Sequence, residues 1–243
     1  MKRRVRLSGL LLIGIAILGM MMMAAAGPPR MLPASPQSSS GITSDLIIER
    51  LQERNRLRAS RLQRYSVPST YRVTNDQGQI RAEVQVVLSY RAPGAKEFKI
   101  VSEKGSEMIR NRIFKPLMEV EVETAAGRNR HDSSITHNNY TFQLVGEEEV
   151  DGHRCFVLQT RSKRADKYLF NGKVWIHTAE FSVVRIAGQM AKSPSFWIKR
   201  VEFVRSYQRI GEFWLPSKNE SMTQVKIFGK NVLTIDYGRY EVF

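Results

Sequence analysis

From residue 71 onward, apolar side chains recur at every second position in short runs, the period of a strand that turns one face to a core. The strand-like runs are 82–90, 98–102, 140–147, 154–160, 174–177, 181–187, 196–207, 225–228 and 232–237. Turn signals punctuate them at Asp76-Gln77-Gly78, Asp151-Gly152, Asn171-Gly172, Ile210-Gly211 and Gly229-Lys230. Asp-Gly and Asn-Gly favour tight hairpins because both central residues of such a turn take positive φ. Sequential strands joined by tight turns pair antiparallel, so the pattern predicts a long meander. So many strands need curvature, closure or a cover to hide one apolar face.

Two segments depart from period two. Thr43 or Ser44 can cap a helix with Asp45 in its first turn, and Ile47, Leu51, Arg58, Leu62 and Tyr65 lie near one face, with Pro68 expected to close it. Further on, Ile109, Ile113, Leu117 and Val120 sit at helical spacing, while Met118, Val120 and Val122 alternate like a strand. Pro116 would kink a helix interior, and a kinked helix is the favoured reading over a strand. Residues 128–137 then read as a polar loop.

The N-terminus follows neither period. A basic stretch (Lys2, Arg3, Arg4, Arg6) precedes an almost wholly apolar run over residues 10–23, and Ala24-Ala25-Ala26 supplies the small residues of a cleavage site. The expected organisation is a signal peptide at 1–26, a Pro/Ser-rich linker at 27–43 and one domain at 44–243, with the mature chain starting at Gly27 and facing the periplasm. Counted from Leu7 the apolar stretch is just long enough to span a bilayer, so an uncleaved membrane anchor is the alternative.

Charge sharpens the choice of partner. The formal net charge is +15, and it is still +11 with Lys2, Arg3, Arg4 and Arg6 set aside. Six arginines fall on the first helix, at 50, 54, 56, 58, 61 and 64. Arg54, Arg58 and Arg61 are the candidates for an anionic membrane surface, against the plainer reading of a solvated basic face. Export argues against nucleic acid, and the arginines do not interleave with aromatic strands as a nucleic-acid platform requires.

No residue set announces catalysis or a cofactor. Asp151, His153 and Cys155 share one face of a strand, but side chains two apart run parallel, roughly 6–7 Å from each other, too far for a nucleophile and its base. Cys155, the sole cysteine, sits among Phe156, Val157 and Leu158 and reads as a small core residue. His131, His137, His153 and His177 have no metal-ligand spacing, and no phosphate loop or nucleophile elbow is present. The informative side chains are aromatic. Trp175, Trp197 and Trp214 lie in the C-terminal half, and Trp197, Val201 and Phe203 share one parity of their strand. These five are the candidates for lining a ligand cavity, with the opposite parity left open.

The stretch 147–177 (EEEVDGHRCFVLQTRSKRADKYLFNGKVWIH) resembles the lipoprotein-sorting, LolA/LolB-like superfamily of envelope proteins. The segments KSPSFW (192–197), GEFWLP (211–216) and FGKNVLTIDYGRYEVF (228–243) fit the same pattern, as does an early helix followed by a meander. The resemblance implies a mainly β fold: a strongly curved antiparallel sheet, an unclosed half-barrel, with a few helices across its concave side. It implies a carrier or chaperone that binds lipid or lipoprotein acyl chains in an apolar space, without covalent chemistry. The alternative within the same family is an envelope-stress sensor that contacts a membrane partner. The basic first helix, the long strand around 196–207 and the missing lipid-anchor cysteine depart from the well-studied carriers, whose functional residues match no motif here.

Overall fold

The computed structural model describes residues 41–126, 133–166, 168–192, 198–225 and 229–243. The proposed signal peptide, the linker up to residue 40 and Trp197 lie outside the described residues.

Helix α1 (Ser44–Arg61) begins where Thr43 Oγ1 accepts a hydrogen bond from the Leu46 amide, satisfying one of the orphan donors of the first turn. Strands β1 (Arg64–Asn75), β2 (Ile80–Arg91) and β3 (Ala95–Gly105) follow as a meander. A bent helical rod comes next: α2 (Glu107–Ile109), a π-turn (Arg110–Phe114) and α3 (Lys115–Ala125). Strands β4 (Tyr140–Val150), β5 (His153–Ser162), β6 (Phe170–His177), β7 (Val183–Met190), β8 (Ile198–Ile210), β9 (Phe213–Val225) and β10 (Gly229–Tyr237) complete the meander, and β11 (Glu241–Val242) ends it.

All eleven strands form one antiparallel sheet in the order β3-β2-β1-β10-β9-β8-β7-β6-β5-β4, with β11 beside β1. The two ends, β3 and β4, do not meet, so the sheet is an unclosed half-barrel, as the resemblance implies. It is strongly curved. Lys96 on β3 and Arg205 on β8 are five strands apart, roughly 24 Å on a flat sheet. Each nevertheless feels the charge of the Glu121 carboxylate between them, and Lys96 feels that of Arg205.

The helices cover opposite ends of the concave face. Ile47, Ile48 and Leu51 of α1 are fully buried against Tyr140, Phe156, Leu158, Val174, Ile176 and Phe203. Each contributes about 2 kcal/mol of burial. Phe114, Leu117 and Met118 of the bent rod pack instead on Tyr71, Val73, Val84, Val86, Leu233 and Ile235. The kink falls one turn earlier than Pro116 itself. Pro116 occupies the start of α3, where no amide donor is needed, and the π-turn before it takes up the change in winding.

Two punctuation signals act differently in three dimensions. Pro68 does not close α1, which ends at Arg61, but lies within β1. Its carbonyl accepts from Gly238, so its ring nitrogen faces the gap where β10 hands over to β11 and no ladder donor is missed. Asn171-Gly172 is not a turn but part of β6, where Gly172 pairs with Gly188 of β7. A Cβ on Gly172 would stand 2.1 Å from the Ala187 carbonyl oxygen, so glycine is required by close approach rather than by positive φ. Asp151-Gly152 does form the expected turn, with φ of 54° and 79°. Gly229-Lys230 opens β10, and the residues just before it are outside the described set.

Gly172→Ala is therefore expected to lower stability by about 3 kcal/mol, since the atom in the way is backbone. Denaturant unfolding at equilibrium checks this, with a loss under about 1 kcal/mol showing that the β6–β7 pair can spread.

Candidate functional site on the concave face

Residues paired across strands share a face, so the register lays out the concave surface row by row. One row runs Val174, Ile186, Arg205, Asn219, Ile235, Tyr71, Val84. Its neighbour runs Thr160, Gly172, Gly188, Phe203, Ser221, Leu233, Val73, Ala82. On the other side of the first row, Ser69 pairs with Tyr237. Both ends of the first row are apolar and lie under the helices. Between them, Arg205, Asn219 and Ser221 on β8 and β9, with Tyr237 and Ser69 in the next row on β10 and β1, make a polar strip.

Ser69, Asn219 and Ser221 are 3%, 3% and 1% exposed, yet Ser69 Oγ, Asn219 Oδ1 and Ser221 Oγ have no hydrogen-bond partner. Tyr71 is fully buried and its hydroxyl faces the Glu121 carboxylate without meeting it at hydrogen-bond geometry. Leaving a buried polar atom unsatisfied costs about 1–3 kcal/mol, so four in one strip are a concentrated expense.

Three charges meet above this floor. Lys96 Nζ stands 2.6 Å from Glu121 Oε1, both largely buried. Burial alone would lower the Lys96 pKa, but Glu121 more than offsets it and holds the ammonium above its usual value. Burial would likewise lower Arg205, which Tyr207, Tyr237 and Glu121 keep raised. Burial, followed by Glu121, pushes the Tyr71 and Tyr237 hydroxyls well above the usual phenol range. They are protonated donors at neutral pH. With Lys96 matched to Glu121, Arg205 is the excess charge of the three, and its guanidinium is hydrogen-bonded to the neutral Tyr207. Arg205, Tyr207 and Tyr237 are half-buried, so the strip is reachable from solvent.

The candidates from sequence divide between the two faces. Val201 and Phe203 lie on the concave side in the cluster under α1. Trp175 and Trp214 lie on the opposite face, in a cluster with Val150, Cys155, Val157 and Val184. Their indole nitrogens donate to Glu148 and Glu180 at 2.8 and 2.9 Å. Arg54 donates to the Glu212 carbonyl at 2.8 Å, Arg58 to that of Trp214 at 3.4 Å, and Arg61 pairs with the Glu212 carboxylate at 2.8 Å. All three tie the exposed half of α1 to the β8–β9 turn. Sequence reading passed over Arg205, Asn219 and Ser221, whose only signal was a polar residue at an inward parity of a strand.

The convex face gives the Asp151, His153, Cys155 group no catalytic geometry. The Cys155 thiol is buried, sits 3.3 Å from the His153 carbonyl oxygen, and is pushed up to about 11 by burial. The His153 ring packs edge-on against Trp214 at 4.9 Å, and Asp151 pairs with Arg185. Among the described residues, no group of three His, Cys, Asp or Glu side chains is placed to hold a metal ion, and no helix is long and apolar enough to cross a membrane.

A family model described as "Uncharacterized protein" matches residues 130–241. No curated protein matches the chain. Among solved structures, it is similar to a DUF1329 family protein from Desulfovibrio piger, at 10% identity over 81% of this chain and 91% of that one, TM-score 0.43. It is also similar to a LolA superfamily protein from Nitrosomonas europaea, at 13% identity over 84% and 94%, TM-score 0.41. An outer membrane lipoprotein-sorting protein domain from Vibrio parahaemolyticus matches at 13% identity over 80% and 91%, TM-score 0.42.

Two measurements check the convex face. Cys155 should resist a thiol reagent in the native protein and react at once in denaturant, whereas fast native reaction would show an accessible, activated thiol. His177 Nδ1 accepts from the Ala179 and Glu180 amides, and burial lowers its pKa below 6.5 despite nearby Glu180. The unfolded chain then binds the proton more readily, so this contribution is whole above about pH 6.5 and falls as the pH drops toward the folded value. The Tm of His177→Asn should depend less on pH below that point than the wild type's.

Proposed function

We propose that the protein is a carrier of the cell envelope that holds a lipid, or the acyl part of a lipoprotein, between the concave sheet and its helices. The observation that carries this reading is the uneven attachment of α1. Its first half is anchored by three buried aliphatic residues, while its second half buries none and is held by arginine contacts at the surface. Exposed ion pairs and hydrogen bonds of that kind contribute about 0–1 kcal/mol each. The stretch of α1 between buried Leu51 and Leu62, the buried residue that caps the helix, can therefore loosen without unpairing a strand, and open grooves of about 650 and 380 Å³ already run beside the helix.

An acyl chain entering beneath α1 gains about 0.8 kcal/mol per methylene removed from water, far more than those surface contacts resist. The basic N-terminal segment with its apolar run, the +11 charge of the remaining chain and the resemblance of residues 147–177 to lipoprotein-sorting proteins support an exported carrier working beside anionic membrane. In this reading Arg54, Arg58 and Arg61 serve as a latch that an anionic surface competes for, as well as the membrane-facing charge.

Purified protein should bind an environment-sensitive acyl probe at micromolar concentration and release it to competing lipid. Changing Arg54, Arg58 and Arg61 together to Ser should speed probe uptake and release severalfold, at a stability loss of about 1–2 kcal/mol. A folded protein that takes up no acyl probe would overturn the carrier reading and favour a domain that contacts a membrane partner.

A further inference from the structure

The polar strip lies on the same surface as the proposed acyl site, and an acyl chain has no use for it. A hydrocarbon floor would be better served by Val or Leu at positions 69, 219 and 221, whose flanking rows are Val, Ile and Leu. Three buried side-chain oxygens without partners sit instead near the Arg205 guanidinium, which is hydrogen-bonded to Tyr207 and half open to solvent. We propose that this strip is a headgroup seat, in which Arg205 binds the oxyanion of an anionic amphiphile whose chain lies under α1. The inference rests on the carrier reading and specifies its ligand.

The chemistry of each group fits that use. Arg205 offers a planar fork that meets a carboxylate or phosphate through two parallel hydrogen bonds. The Ser69, Ser221, Tyr71 and Tyr237 hydroxyls can donate to the remaining oxyanion lone pairs, and the Asn219 oxygen accepts from a ligand hydroxyl such as that of glycerol. Lys96 is held away by Glu121, which also keeps the negative charge of that pair neutralised. The net charge of the three is one positive, matching a single oxyanion. The distance from headgroup to chain also fits, because Phe203 adjoins Ser221 across the strand pair and belongs to the apolar cluster that α1 covers.

The test compares three amphiphiles of equal chain length on the full-length protein: oleate (a carboxylate), oleoyl lysophosphatidylglycerol (a phosphate with free hydroxyls) and neutral oleyl alcohol. The expected result is at least tenfold tighter binding of one or both anions than of the alcohol, and the tighter anion identifies the source. Arg205→Gln should bring the anions to the level of the alcohol while leaving alcohol binding unchanged. Binding of all three with no preference, or a preference that survives Arg205→Gln, overturns the headgroup seat and leaves the carrier intact. Binding of none overturns the carrier reading itself.

A second variant guards against misfolding of Arg205→Gln. Replacing Ser69 and Ser221 by Ala removes two unsatisfied buried hydroxyls, so the ligand-free Tm should rise by a few degrees while the anion-induced rise in Tm shrinks. A fall in the ligand-free Tm would show that these hydroxyls serve the fold and would overturn the proposal.

Discussion

Ile47, Ile48 and Leu51 at one end of the concave surface, and Phe114, Leu117 and Met118 at the other, are what keep water from the inner face of an open sheet. An antiparallel sheet can leave its convex side solvated, but a concave side rich in Val, Ile and Leu must be covered. In this chain two short helical segments do that work from opposite ends. The two apolar clusters do not merge, because the strands between them present Ser69, Asn219, Ser221 and Arg205. The chain has closed neither its barrel nor its interior, and the polar strip is where the two helical covers fall short of each other.

That arrangement sets the energetic character of the molecule. Sheet pairing is continuous and stiff, with the tight Gly172–Gly188 crossing allowing two strands to approach more closely than side chains permit. The latch on α1 is weak by comparison, made of exposed arginine contacts to the β8–β9 turn. Motion is then expected where few apolar contacts would be lost, in α1 between Leu51 and Leu62, and not within the sheet. On the convex side the Trp175 and Trp214 indoles are tied to Glu148 and Glu180, with the Lys173 ammonium over the Trp175 ring and Arg209 paired to Glu180, as befits a stable outer skin.

Local chemistry made much of the architecture legible in advance. Period-two runs located eight of the eleven strands, since alternation follows directly from the pleat, but no run covers β1, β9 or β11. Asp151-Gly152 formed its hairpin because two consecutive positive φ values have few other uses. Thr43 capped α1 for an equally local reason, a hydroxyl one turn from an orphan amide. The readings that changed were those where a distant strand supplied the reason. Gly172 looked like a turn until Gly188 stood opposite it, and Pro68 looked like a stop until the junction of β10 and β11 fell beside its nitrogen.

The candidate site shows the same division more strongly. By itself the sequence determined the meander, the two helical segments, the buried character of Cys155 and the resemblance to envelope carriers, because each depends on neighbours a few residues away. It placed Val201 and Phe203 on one parity of a strand, but parity does not say which side of a sheet is concave. Only the tertiary structure sent Trp175 and Trp214 to the outside, turned Arg54, Arg58 and Arg61 toward the β8–β9 turn, and gathered Ser69, Lys96, Glu121, Arg205 and Asn219 into one strip. Those five residues come from four strands and a helix, with up to 150 positions between them, and the curvature that brings them together is a property of the whole sheet.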